Sequence, residues 1–109
     1  MEWTRDLTKE QKRELRRIVA LAYERELSAA LATLEEQFRR WRAGEIGPHE
    51  LGEAIHTFHQ GPSRTLWSRY NDEHGYLAAV AAIARGIVAK HEVAADLMEI
   101  LNPRLSAFE

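Results

Sequence analysis

The feature that most constrains the fold of this chain is an uninterrupted helical pattern from about Thr8 to Ala43. Thr8 and Gln11 have the spacing of a capping box, which indicates where the helix begins, and Gly44 is the residue type that closes a helix. At 1.5 Å per residue such a helix would be roughly 54 Å long, whereas a compact domain of this size is about 34 Å across. We therefore expect the helix to extend beyond the globular part of the chain.

Large apolar residues recur in the second half of this helix at alternating spacings of four and three: Leu27, Leu31, Leu34, Phe38 and Trp41. This spacing is typical of a helix that packs against another helix. We predict that these five residues form the interface of a homodimer. The alternative is that the second helix folds back and covers the stripe within one chain, and we expect both to occur in part, because the second helix has only about three turns.

Further helices are predicted downstream. Gly47-Pro48 marks the start of the second helix, with Ile46 and Leu51 placed to pack as a hydrophobic staple, and Gly61-Pro62 marks its end. A short third helix is expected from about Pro62 to Tyr70, with Trp67 and Tyr70 in the core, followed by a polar turn from Asn71 to Gly75.

The last third of the chain predicts a fourth and a fifth helix. The fourth, from about Tyr76 to Lys90, is apolar on nearly all sides, which is typical of a central buried helix, and we expect Gly86 inside it to serve close packing. The fifth is expected from about Val93 to Leu101, ending at Asn102-Pro103. No strand pattern is present, so the predicted fold is all-α: a single domain over residues 1–109, with about five helices, the long N-terminal one packed on shorter ones.

Composition excludes several classes of protein. The chain has 15 basic and 17 acidic residues and a formal charge of −2, so no domain-wide positive field attracts nucleic acid. It has no cysteine, which excludes disulfides, thiolate metal sites and thiol catalysis. The longest apolar run is far shorter than the roughly 20 residues that span a bilayer, and the first residues do not read as a signal peptide. We expect a cytoplasmic protein without membrane or nucleic-acid partners.

The densest run of chemically capable residues is His56 to Tyr70. Ser63 and Arg64 are expected in the first turn of the third helix, where free backbone amides, a hydroxyl and a guanidinium can bind an anion. The anion-binding candidates are Ser63, Arg64, Arg69 and Tyr70. The simpler interpretation is an ordinary corner between two helices, in which Arg64 pairs with an acidic neighbour.

The same region has residues that could bind a metal ion. His49, Glu53, His56 and Gln60 fall within one arc of the second helix, and His59 lies at the edge of its apolar face, so the metal candidates are His49, Glu53, His56 and His59. The Glu-x-x-His spacing occurs in helical di-iron carboxylate bundles. Because the arc lies opposite the apolar face, a complete site would require two chains, and a solvated polar face is the simpler interpretation. We expect no cofactor.

Catalytic motifs are missing from the sequence. It has no nucleophile elbow, phosphate-binding glycine loop or dinucleotide fingerprint. A cluster of His56, His59, Arg64, Arg69 and Tyr70 could support acid–base chemistry only if the Gly-Pro corner folded these residues together. The sequence therefore favours a protein without enzymatic activity and leaves an enzyme as the alternative.

The stretch from Leu34 to Tyr70, with Phe38-Arg-Arg-Trp41, Gly47-Pro48-His-Glu-Leu51 and Gly61-Pro62-Ser-Arg64, resembles a group of small all-helical bacterial proteins to which no activity is attached. The resemblance implies a bacterial cytosolic protein and carries no functional residue across. The favoured function is a self-associating interaction protein, such as the regulatory or antitoxin-like partner of another protein. The alternative is a binding protein or an enzyme that takes a small anion or a metal around His56 to Tyr70.

Overall fold

The computed structural model describes residues 4–71 and 75–108, and every regular element among them is helical. The α-helices are α1 (Lys9–Arg42), α2 (Pro48–Phe58), α3 (Arg64–Asn71), α4 (Gly75–Ala84) and α5 (Ala95–Leu105). A π-helical segment (His59–Ser63) joins α2 to α3, and short 3-10 turns cover Lys90–Glu92 and Ser106–Phe108. The all-α prediction is confirmed. Most of the polar turn predicted at Asn71 to Gly75 lies outside the described residues.

Helix α1 begins and ends where the sequence predicts. The Thr8 hydroxyl accepts from the Gln11 amide at 3.0 Å, and the Gln11 side chain accepts from the Thr8 amide at 2.9 Å, which completes the capping box. At the other end Gly44 has φ +77°, a left-handed conformation that glycine adopts without strain. The molecule is 55 Å long and 25 Å wide, with a radius of gyration of 17.5 Å, compared with about 13 Å for a compact chain of this length.

The hydrophobic core lies around the first half of α1. Helix α4 lies at the centre of this core and packs against α1, α3 and α5. Its Ala79 and Ala82 are fully buried, and because these side chains are small, the neighbouring helices can approach closely. The largest fully buried side chains are Leu15, Ile18, Val80, Val88, Leu97 and Leu101. The prediction of α4 as the central buried helix is confirmed. We call this part of the molecule, made by α1 up to Ala30 with α3, α4 and α5, the body.

The predicted end of the second helix at Gly61-Pro62 is wrong. The backbone stays helical through this dipeptide, and α2, the π-helical segment and α3 follow one another without a break. Proline has no N–H to donate to the preceding turn, and the wider π-helical turn accommodates both the missing hydrogen bond and the ring. Because α2 and α3 are continuous, the described residues form four continuous helical stretches, where the sequence predicted about five separate helices.

The predicted limits of the last two helices are also wrong. Helix α4 ends at Ala84, because Gly86 has φ +80° and its N–H donates to the Ile83 carbonyl at 3.0 Å. Nothing lies within 4 Å of a Cβ built at Gly86, so this glycine serves backbone conformation, not close packing. Helix α5 continues through Pro103 to Leu105, because only the last turn loses a hydrogen bond while Leu105 becomes buried.

Candidate functional site

Residues 31–42 of α1 and helix α2 form an antiparallel hairpin that projects from the body, and we call this hairpin the arm. Gly44 reverses the chain at its tip, and Pro48 is the first residue of α2. Ile46 and Leu51 are both buried at this end, as a hydrophobic staple requires. Helix α2 packs back on α1, where Leu34 of the stripe lies beside Ala54 and Phe58, so α2 covers part of the apolar stripe as expected.

Two grooves run along the arm. One, of about 280 Å³, lies between its helices and is almost entirely apolar; it is lined by Ala30, Thr33, Leu34, Gln37, Ala54, Thr57, Phe58 and Pro62. The other is a shallow, open groove between side chains of α1 alone, and it is lined by Leu31, Ala32, Leu34, Glu35, Glu36, Phe38, Arg39 and Arg42. In this second groove, which we call the α1 groove, Leu31, Leu34 and Phe38 lie along one side of the helix and the charged side chains lie beside them.

The five predicted interface residues differ in how much of them is covered. Leu27 is partly buried against the core, so it belongs to the body. Leu34 and Phe38 are half-buried. Leu31 is 46% exposed and Trp41 is 41% exposed, so a substantial part of the predicted stripe faces solvent in a single chain. Ile55 of α2, which is 42% exposed, adds apolar surface to the arm.

A third concave region, which we call the cleft, lies where α1 passes the π-helical segment and α3. It has a volume of about 290 Å³ and is lined by Tyr23, His59, Ser63, Arg64, Trp67 and Ser68. Two of the four anion candidates, Ser63 and Arg64, and one metal candidate, His59, therefore lie together. Trp67 is 60% exposed, so its predicted place in the core is wrong.

The other two anion candidates, Arg69 and Tyr70, contact α1 instead. The Glu26 carboxylate accepts from the Tyr70 hydroxyl at 2.6 Å and from the Arg69 guanidinium at 3.0 Å. Tyr70 is buried, as predicted, and its ring stacks on Tyr23 with 5.6 Å between centroids. Burial and the Glu26 hydrogen bond together raise the pKa of Tyr70 to about 12. These contacts hold α3 on α1, and both Arg69 and Tyr70 already bind the Glu26 carboxylate.

The metal candidates do not converge within one chain. His49, Glu53 and His56 are exposed on α2, and His59 is exposed in the π-helical segment. Over residues 4–71 and 75–108, no three histidine, aspartate or glutamate side chains come close enough to hold a metal ion. A site shared between two chains remains a prediction.

A cluster of charged residues that the sequence did not predict fixes the segment between α4 and α5 on α1. The Glu92 carboxylate accepts from the Arg25 guanidinium at 2.6 Å and from the Ala89 amide at 3.1 Å, and Arg25 also donates to the Ile87 carbonyl. The hydrogen bonds from Arg25 and then from Ala89 lower the pKa of Glu92 to about 2. These residues have a structural role in the body.

The face shared by the cleft residues could have been found from the sequence. His59, Ser63 and Trp67 are spaced by four, which places them on one side of a continuous helix. The assumption that the helix ends at Gly61-Pro62 hid this spacing. Tyr23 comes from α1, more than thirty residues earlier, and no local pattern indicates that it meets them.

No family model, curated protein or solved structure matches the chain. The resemblance to small helical bacterial proteins therefore stays a prediction. In the described part of the chain, no helix is both long and apolar enough to cross a membrane.

Proposed function

We propose that this chain is a non-enzymatic interaction protein that self-associates through its arm. In the regulatory role that we propose, it also binds a protein partner. The observation that carries the proposal is the α1 groove, where Leu31 remains 46% exposed beside Leu34 and Phe38. Exposed apolar side chains flanked by charged ones are typical of a protein interface. A second copy is the occupant that we propose.

The surface area of the chain supports a second copy. A compact monomer of 12.5 kDa has an accessible surface of about 6,200 Å², whereas this chain exposes 7203 Å². The excess of about 1,000 Å² is comparable to the roughly 800 Å² that each partner buries in a standard interface. The excess surface area arises from the elongated shape of the molecule, because the arm extends it to 55 Å.

Electrostatics supports contact through the α1 groove. Arg39 binds Glu36 and Glu45 at 2.8 and 3.2 Å, and Arg40 lies 3.7 Å from Glu45. These ion pairs neutralise much of the charge at the tip of the arm, so two arms can approach without strong repulsion. With two copies in contact, Leu31, Phe38 and Trp41 would lose solvent exposure together. The cytoplasmic location and bacterial origin expected from the sequence belong to the same proposal.

The test is the mass in solution of the wild type and of Leu31→Glu, measured by sedimentation over a range of concentrations. Leu31 is a better target than Leu34, because Leu34 also packs between α1 and α2. We expect a wild-type mass near twice 12.5 kDa and a monomeric Leu31→Glu variant, since a carboxylate in the contact would be desolvated without a partner.

The matched control is Ala29→Glu. Ala29 is an exposed residue on the same part of α1, about 200° around the helix from Leu31, so it adds the same charge on the opposite side. We expect it to associate like the wild type. A monomeric wild type at every concentration, or a Leu31→Glu variant that associates as strongly as Ala29→Glu, would contradict the proposal.

A further inference from the structure

The cleft has a positive charge with no opposing carboxylate among the residues that the structure describes. Within residues 4–71 and 75–108, its lining contains Arg64 and His59 and no acidic residue. The Arg64 guanidinium is exposed and donates to the neutral Gln60 side chain at 2.9 Å. Other arginines, such as Arg25 and Arg69, are paired with carboxylates at 2.6 to 3.0 Å. Arg64 therefore keeps its charge available for an anion.

Aromatic surface lies beside that charge. Trp67 follows Arg64 by three residues, on the same side of α3, and is the most exposed large apolar side chain of the described residues. Tyr23 of α1 also lines the cleft, and its stacking on the buried Tyr70 fixes its ring. Tryptophan, tyrosine and arginine are the side chains that contribute most to binding when they are grouped. An indole left this exposed is available for stacking against a ring.

The backbone at the cleft is itself unusual. His59 and Ser63 are the first and last residues of the π-helical segment, and both line the cleft. A π-helical turn inside an α-helix is often found at functional sites, because the extra residue redirects the side chains around it. Here both ends of the π-helical segment line the same concavity as Trp67 of α3.

We propose that the cleft binds a small aromatic anion, with its carboxylate or phosphate on Arg64 and Ser63 and its ring on Trp67. The volume of about 290 Å³ is at the lower limit of known ligand pockets, which suits one ring with one anionic group. The proposal is independent of self-association, because no cleft residue lines the α1 groove.

The experiment is a titration with phenyl phosphate, followed by the nuclear magnetic resonance signal of the Trp67 indole N–H, which the Trp67→Phe variant assigns. We expect a saturable shift below about 10 mM. Arg64→Gln should weaken binding about tenfold, the loss expected for one charge-assisted hydrogen bond. Arg13→Gln removes an exposed arginine of α1 that does not line the cleft, and this variant should leave the affinity unchanged. Both substituted side chains are exposed, and circular dichroism verifies that each variant is folded.

Two further probes separate the parts of the ligand. Inorganic phosphate lacks the ring and phenol lacks the charge, so each should bind at least fivefold more weakly than phenyl phosphate. The absence of a saturable Trp67 shift would overturn the proposal, as would equal weakening by Arg64→Gln and Arg13→Gln. Phenol binding as tightly as phenyl phosphate would overturn the anion assignment, and equal binding of inorganic phosphate would overturn the aromatic one.

Discussion

Replacing Gly86 with alanine tests whether α4 ends where the structure places it. Gly86 has φ +80°, and no atom lies within 4 Å of the added Cβ. The cost is therefore backbone strain alone, about 1 kcal/mol for a left-handed alanine. For a domain of this size that lowers the melting temperature by about 4 °C. If α4 instead continued through this position, the same substitution would stabilise the chain by up to about 1 kcal/mol.

Gly52→Ala is the matched control. Gly52 lies inside α2, is exposed, and also has nothing within 4 Å of a Cβ. Because it is an ordinary helical position, alanine there should stabilise by about 0.5–1 kcal/mol. Thermal and urea unfolding followed by circular dichroism should thus give opposite signs for the two variants. A Gly86→Ala variant that melts at or above the wild-type temperature would refute the reasoning.

Three further predictions concern Glu26, Tyr70 and Glu92, whose contacts fix elements of the body to α1. Glu26→Gln should cost about 1–2 kcal/mol in urea unfolding, because the Tyr70 hydroxyl and Arg69 lose their shared carboxylate; wild-type stability would contradict this role. The raised pKa of Tyr70 means that its stabilisation is complete below pH 10 and is lost as the pH rises toward 12, which ultraviolet absorbance of the wild type and Tyr70→Phe can follow. The lowered pKa of Glu92 works in the opposite direction: its contribution is present above pH 4.5 and is lost as the pH falls toward 2. Glu92→Gln should abolish that part of the acid dependence, and an unchanged acid profile would exclude the Arg25 ion pair as its cause.

Local sequence patterns predicted helix ends correctly where a residue type has only one structural role at that position. Thr8, Gln11, Gly44 and Pro48 mark helix ends because capping groups and fixed backbone angles leave few alternatives. Gly86 has two uses, close packing inside a helix or closure of its end, and the sequence alone did not distinguish them. The stop predicted before Pro103 failed because burial of Leu105, which depends on the whole core, outweighs one lost hydrogen bond.

The candidate sites were less predictable than the helices because they depend on contacts between distant residues. The exposed stripe of α1 follows from its spacing, but Leu27 belongs to the body because α1 passes the core at that point. Nothing near Glu26 in the sequence indicates that it binds Arg69 and Tyr70, which lie more than forty residues away. That contact decides which predicted anion-binding residues remain available, and only the tertiary structure shows it.

One helix, α1, belongs to two regions that differ in local stability. Its first half is covered by α4 and α5 and contains the fully buried Leu15, Ile18 and Ala22, whereas no residue of its second half is fully buried. Amide hydrogens should therefore exchange with solvent faster from the arm than from the body, although the helix between them is continuous. A partner seated on the arm would slow that exchange, so protection of the second half of α1 would rise with protein concentration while protection of the first half would not change.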